Sequence, residues 1–519
     1  MVEAQETAGG ALCVNALTVA IDTTVEEGGR WYTSIKTLEF VCLDLCVAYR
    51  SCWNSPPREI VVTKNCPLPL WLTRPRCLWL RGKSPGAARV PAVSVHAVKV
   101  IEWPKGVLAR LLEGKRRAND MEVRETMKGC LGRLCRIGPS PLWWPDSVKE
   151  LTVVPNEPIL GVVWPASLQQ LSFGSRFNHP IAGVVWPASL QQLSFGYSFS
   201  QPIFGVLWPA SLHHLSFGNW FNHPIAGGMW PASLQQLSFG MTFNQSIAGV
   251  VWPASLQQLS FGDLFNKSIT GVVWPASLQQ LSFGYSFSQP IAGGMWPASL
   301  QQLSFGEEFN QPIDEGVWPA SLQQLSFGDS FDQPIAGVMW PASLQLLSFG
   351  RRFDQPIAGV VWPASLQQLS FGDLFDQPIA GVMWPASLQR LSFGYSFNQP
   401  IAGVMWPASL HNLSFGSGFN QPIAGGVWPA SLQQLVFGDS FNQPIAGVVW
   451  PASLQVMVFG NSFNQPIAGV MWPASLILLC FGNSFNQPIL GMVWPASLRR
   501  ILRRGQCALT APVSFSVNA

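Results

Sequence analysis

One period governs this chain. From Trp164 onward a 22-residue unit, first whole as WPASLQQLSFGSRFNHPIAGVV over Trp164–Val185, recurs without insertion or deletion up to Trp494. Trp164, Trp186, Trp208, Trp230 and so on to Trp472 and Trp494 mark fifteen complete units and the start of a sixteenth. Strict self-similarity at this length is the signature of stacked repeats. One unit cannot bury its apolar side alone; neighbours bury it, and the core runs along the stack. A stack grows by addition, so a length of 519 residues does not by itself count domains.

Within the unit, Leu168, Leu171 and Phe173 form an L-x-x-L-x-F spacing. Leu171 and Phe173 alternate with Gln170 and Ser172, which predicts one short strand per unit with Leu and Phe inward. Parallel stacking of such strands would give a solenoid. The chain then bends at Gly174, which is Gly in every complete unit, as fits a sharp exit or close backbone packing. Phe177 is likewise invariant between units. Asn178 changes only to Ser200, Ser288, Asp332, Asp354 and Asp376. Asn, Asp and Ser share a short side-chain oxygen, so the position needs an acceptor for a nearby backbone N–H. Pro165 keeps Trp164 extended and can open a short helical turn through Ala166 and Ser167. The repeated tryptophans read as a buried indole column; a sugar- or base-stacking surface is the other reading.

The unit resembles the FNIP repeat, a relative of the leucine-rich repeat named for its Phe-Asn-Ile-Pro tetrapeptide. The matching residues here read Phe-Asn-Gln-Pro-Ile, as at Phe397–Ile401, and the flanking P-x-S-L-x-x-L-x-F-G stands at Pro385–Gly394. The resemblance covers about 164–498; Ser246 and Ser268 replace the proline in two units. It implies a leucine-rich-repeat-like scaffold, often behind an unrelated N-terminal module, with no catalytic residues.

The flanks differ from the array. Residues 164–498 hold 11 acidic and 5 basic residues, whereas 1–163 hold 16 acidic and 21 basic. No block is basic enough to argue nucleic acid on charge. No uninterrupted apolar run is long enough for a membrane helix, and no basic segment precedes the early apolar run, so an intracellular, cytoplasmic protein without membrane insertion is expected. Eight cysteines lie before residue 136, at spacings unlike paired zinc ligands, so neither a metal nor a cofactor is expected. Residues 1–135 read as a small α-rich region of unknown fold or partial disorder. Helices are expected around Leu38–Tyr49 and over 105–135, and a strand through Val93, Val95 and Ala97. Residues 136–163 form a degenerate N-terminal capping repeat, with Lys149 and Glu150 in place of the Gln pair. The complete units occupy 164–493. A truncated basic repeat, 494–507, caps the other end, followed by a tail at 508–519. Arg503 falls on the inward Phe position, where an unpaired charge would stop the regular stack.

Function should sit in the columns that vary. The pair after each conserved Gly supplies a candidate partner-binding rim: Arg176, Tyr197, Trp220, Met241, Leu264, Tyr285, Glu307, Glu308, Arg351, Arg352, Leu374 and Tyr395. Aromatic and Arg residues anchor interfaces, and repeat proteins bind through loop variation on a rigid frame; drift at solvated positions is the bland reading. The outward strand positions turn apolar near the C-terminal end, at Val436, Val456, Val458, Ile477, Leu478 and Cys480. Such a cluster marks a contact, either with the C-terminal tail folded back or with a partner. His179, His213, His214, His223 and His411 read as solvated substitutions, and Asp329, Asp332 and Asp354 as a solvated acidic face. No nucleophile or phosphate-loop motif appears. The sequence therefore reads as a non-enzymatic protein–protein interaction scaffold for a protein partner of unknown identity. A structural or self-associating repeat protein and a carbohydrate-binding surface are the alternatives.

Overall fold

The computed structural model describes backbone strands within 1–135, and residues 148–502 apart from 154, 155, 295, 315, 317 and 491. They fall into two compact units. One comprises 1–223 with 228–234, the other 224–227 with 235–519.

In the first unit, β1 (Val19–Glu27) and β2 (Arg30–Phe40) form an antiparallel pair. β3 (Glu59–Val62), β4 (Cys77–Leu80), β5 (Ala97–Val100), β6 (Glu150–Val153) and β7 (Gln170–Phe173) follow in parallel, from β2 onward. Glu59, Cys77, Ala97, Glu150 and Gln170 share one register row. The described part of 1–135 consists of strands, so the α-rich expectation finds no support there. Leu38 is in β2, so no helix starts there. The strand expected at Val93–Ala97 begins at Ala97 instead. EIVV, CLWL and AVKV are short runs rich in β-branched and aromatic residues, and they pair in parallel along one ladder. The helix expected over 105–135, Arg503 and the tail lie outside the described residues.

The second unit carries thirteen described strands, from Gln236–Ser238 to Arg500–Leu502, paired in parallel. Equivalent residues face each other: Leu369 pairs with Leu347 on one side and Leu391 on the other. The repeat starting at Trp362 shows why. Leu366, Leu369, Phe371, Phe375, Ile379 and Val382 are all at most 5% exposed. Three β-turns bend the chain around this core. Their hydrogen bonds run from Leu366 N–H to Pro363 O (3.1 Å), from Phe375 N–H to Gly372 O (3.3 Å) and from Val382 N–H to Ile379 O (3.3 Å). The Trp-Pro segment thus makes a single β-turn, shorter than a helical turn.

Every rung copies its contacts to the next. Phe371 stacks on Phe349 at 5.7 Å, and Phe375 on Phe353 at 6.1 Å. Ser365 Oγ donates to Leu344 O at 2.7 Å, and both Gln367 and Gln368 N–H donate to Gln345 O. Asp354 Oδ1 accepts the Asp376 N–H at 2.9 Å and Gln377 Nε2 at 3.0 Å. The same acceptor ladder runs through Asn398, Asn420, Asn442 and Asn464. The acceptor reading of the Asn178 column therefore holds, with one refinement: the N–H it serves belongs to the next repeat rather than its own turn. Backbone groups that a three-residue strand leaves open are satisfied between repeats.

Candidate partner-binding surface

The rim is built by the turn that follows each strand. Within each unit, the second residue of a variable pair donates its N–H to the carbonyl of the first residue one repeat earlier. Trp220 bonds Tyr197 O (3.0 Å) in the first unit; Leu264 bonds Met241 O (2.8 Å), Arg352 bonds Asp329 O (2.8 Å) and Leu374 bonds Arg351 O (2.8 Å) in the second. These bonds line up the pairs within each unit. Arg176, Tyr197, Trp220, Met241, Leu264, Tyr285, Glu307, Glu308, Arg351, Arg352, Leu374 and Tyr395 are all exposed. Tyr395 reaches 65% and Trp220 52%. Tyr197 and Trp220 rings lie 5.9 Å apart. Arg351 Nε sits 3.6 Å from Asp373 Oδ2, an open pair whose energetic weight is small but whose side chains face a partner together.

Beside the rim, the strand face of the second unit carries a groove of about 490 Å³ spanning 368–482. Gln368, Arg390, Asn412 and Gln434, first residues of successive strands, form one wall; Val436 and Val458 add apolar surface. Asp373, Tyr395, Asp439 and Asn461 come from the rim. Tyr395, Val436 and Val458, proposed from two separate columns, thus meet in one place. Arg390, Asn412 and Gln434 were missed as site residues. Their signal was available: Arg390 and Asn412 replace the Gln of most repeats. Asn412 Nδ2 donates to Gln434 Oε1 at 2.7 Å, and Asn461 Nδ2 to Asp439 Oδ1 at 2.9 Å, so the polar wall is partly held in place.

The apolar cluster is more enclosed than an exposed patch. Val458 and Cys480 are buried, while Val436, Val456, Ile477 and Leu478 are half-buried. Its outer members are the ones open to contact.

Several of the remaining polar candidates have structural partners. His179 Nε2 lies 3.1 Å from Asn156 O and His223 Nε2 3.0 Å from Ser200 O, copying the Gln that bonds the preceding repeat elsewhere. They are more than solvated substitutions. Asp332 and Asp354 each serve the acceptor ladder. Burial, and then the charge of His213, hold the His214 imidazole below its ordinary value. Among the described residues, no group of three or more His, Cys, Asp or Glu is placed to hold a metal ion. The repeated indoles stack on one another, Trp362 on Trp384 at 6.5 Å and 11° for example, so their faces are not presented to a sugar. Among the described residues no helix is long and apolar enough to cross a membrane.

The FNIP Repeat family model matches successive segments from 155–198 through to 463–501. Among solved structures the chain is similar to CroV588, described as a novel circular LRR protein. The two share 33% identity at a TM-score of 0.70, over 93% of this chain and 70% of that one. Weaker likenesses include YopM from Yersinia enterocolitica WA-314, at 18% identity and a TM-score of 0.42, over 76% of this chain and 96% of that one. An internalin from Listeria monocytogenes follows at 16% and 0.35, over 55% and 82%. Comparison with curated proteins gave no match.

Proposed function

The chain belongs to the FNIP-repeat family, and on that premise we propose that its array is a non-enzymatic scaffold that binds a protein partner through the variable rim and the adjoining groove. The observation that carries this is the rim itself: exposed, sequence-variable pairs held in line by hydrogen bonds between repeats whose other columns barely change. Rigid placement lowers the ordering cost of binding, and Tyr, Trp and Arg supply the anchors. The groove adds Arg390 beside Tyr395 with apolar surface from Val436, a mixture suited to a polypeptide segment. The binding is assigned to the repeats of 164–493, with 494–507 as their closing unit. The proposal places the protein inside the cell, in keeping with Cys480 as a buried thiol.

The test compares affinity capture by the intact chain with capture by a version whose rim pairs are all Asp-Ser, the pair already present at Asp329-Ser330 and Asp439-Ser440. A protein retained by the natural rim is then titrated against Tyr395→Ser and Arg390→Gln. Weakening of tenfold or more is expected from each. Equal capture by both rims, or affinities unmoved by both substitutions, removes the reading.

A further inference from the structure

A second surface lies away from the rim and groove. Between the Ala-Gly turn and the Trp-Pro turn each repeat places two apolar residues side by side, as in Val382 and Met383. The first is buried where it is Val and half-buried where it is Gly, as at Gly426; the second points out. In the second unit, after Asp314, the outward row reads Met339, Val361, Met383, Met405, Val427, Val449, Met471 and Val493, each between 69% and 89% exposed. Its flanking columns are exposed too: Pro378, Ala380, Gly381 and Ala386 in one repeat, with their described equivalents from Pro334 to Ala496. None of these positions carries a charge.

A fully buried Val or Met withdraws roughly 60–120 Å² of apolar surface from water. The eight-residue row at its observed exposure therefore presents roughly 400–800 Å², before Pro and Ala are added. Apolar patches on monomers rarely pass a few hundred Å², and a stable interface takes roughly 800 Å² from each partner.

We propose that this apolar row is a self-association surface whose occupant is the same row of a second copy of this chain. The period selects that occupant. Side chains repeat at one strand spacing, roughly 4.8 Å, so a facing row must share that interval to set each side chain in the gap between two others. The chain's own back does so over eight repeats without interruption. Two such faces meet without like-charge repulsion. A lipid surface fits less well, because the face offers neither Lys nor Arg for headgroups and its indoles are turned inward. Asp314, exposed on the Ala column, ends the uncharged stretch on one side and limits the pairing to the repeats after it.

The full-length chain is examined by sedimentation equilibrium at about 10 µM, above the weakest dissociation constants typical of interfaces this size. A dimer or larger is expected. The joint variant Val361→Asp, Met405→Asp and Val449→Asp should sediment as a monomer with unchanged far-ultraviolet circular dichroism. A monomeric natural chain, or a variant that associates equally, overturns the proposal. Should the variant misfold, oxidation of Val427→Cys decides. It should give an intermolecular disulfide absent from both the natural chain and Ser440→Cys, and no such product overturns the proposal. A monomer that floats with phosphatidylcholine vesicles would instead assign the face to lipid. The Asp-Ser rim version should associate like the natural chain, so loss of the rim reading leaves this result untouched, and the reverse.

Discussion

Two glycines of one repeat obey different constraints, and alanine separates them. A Cβ at Gly372 would land on the carbonyl oxygen and carbon of Gly350, inside the 3.0 Å that Cβ atoms essentially never breach. The obstacle is backbone, so the two repeats must part. Parting them strains the Leu374 N–H to Arg351 O bond (2.8 Å) and the Asp376 N–H to Asp354 Oδ1 bond (2.9 Å), at about 0.5–1.5 kcal/mol each. It also loosens the Phe349–Phe371 stack at 5.7 Å, worth about 0.5–1.5 kcal/mol. Against this, replacing Gly by Ala narrows the unfolded ensemble by about 0.4–1 kcal/mol. Gly372→Ala should therefore cost about 1–4 kcal/mol. Gly381 has φ +78° and nothing within 4 Å of a Cβ. Its alanine meets the left-handed penalty alone, about 1–2 kcal/mol, less the same unfolded-state gain, for a net cost of about 0–1.5 kcal/mol. The position matters as well as the size. In a nearest-neighbour stack a broken interface uncouples the two sides, so Gly372→Ala should split the urea transition followed by tryptophan emission, whereas Gly381→Ala should shift it whole. A costlier Gly381→Ala, or a Gly372→Ala curve coincident with the natural one, refutes the close-approach account.

Asp354→Asn keeps an acceptor for the ladder and should change stability by less than about 0.5 kcal/mol. Asp354→Ala strands the Asp376 N–H and Gln377 Nε2 and should cost about 1–2 kcal/mol in urea unfolding. His214 should titrate below its ordinary 6.5 by side-chain NMR. Its folded value lies under its unfolded one, so the stability it supports is complete above about pH 6.5 and is lost as pH falls through that value toward the folded one. His214→Gln should abolish that fall, and a midpoint at or above 6.5 would contradict the assignment. The buried Nε1 of Trp362 has no hydrogen-bond partner, so Trp362→Phe gives up ring area but also an unpaired donor, leaving a net change within about 1 kcal/mol. Trp362→Ala should cost about 3–5 kcal/mol by thermal unfolding.

The stack was legible because one period repeats the same local decision at every rung. The alternation of Leu369 and Phe371 with Gln368 and Ser370 set the strand faces, and the Asn-Asp-Ser exchange identified an acceptor. What the exchange could not say is which N–H it accepts, since own-turn and next-repeat donors demand the same side chain. Residues 1–135 misled for the opposite reason. With no exact copy to compare, the apolar spacing around Leu38 suggested a helix where β2 runs, in a region whose described strands are only four residues long from Glu59–Val62 onward. The link from β5 to β6 spans far more chain than a 22-residue repeat, so no period tied those strands to the array beforehand.

The outward row was overlooked because two adjacent apolar residues do not by periodicity reveal which one faces the core. Exchange pattern distinguishes them. From Val184 to Val470 the inner column holds Val or Gly alone, while the outer column from Val185 to Val493 admits Val, Leu and Met. A packed position is bounded by volume: a Cβ at Gly294 already meets Ile291 O at 3.0 Å, and up to Val470 nothing larger than Val is found in its equivalents, the half-buried Met492 at the end of the array being the exception. The outer position tolerates long and short side chains because no neighbour within the chain bounds it. Yet it keeps them apolar at every repeat, although Lys, Glu or Ser would cost nothing in packing. Polar residues do enter adjacent exposed columns, at Thr270 and Asp314, so exposure by itself does not keep this back apolar. Freedom in size together with restriction to apolar chemistry is what contact with a mobile or repeating apolar surface would require. That pattern is the reason to test the row before treating it as neutral.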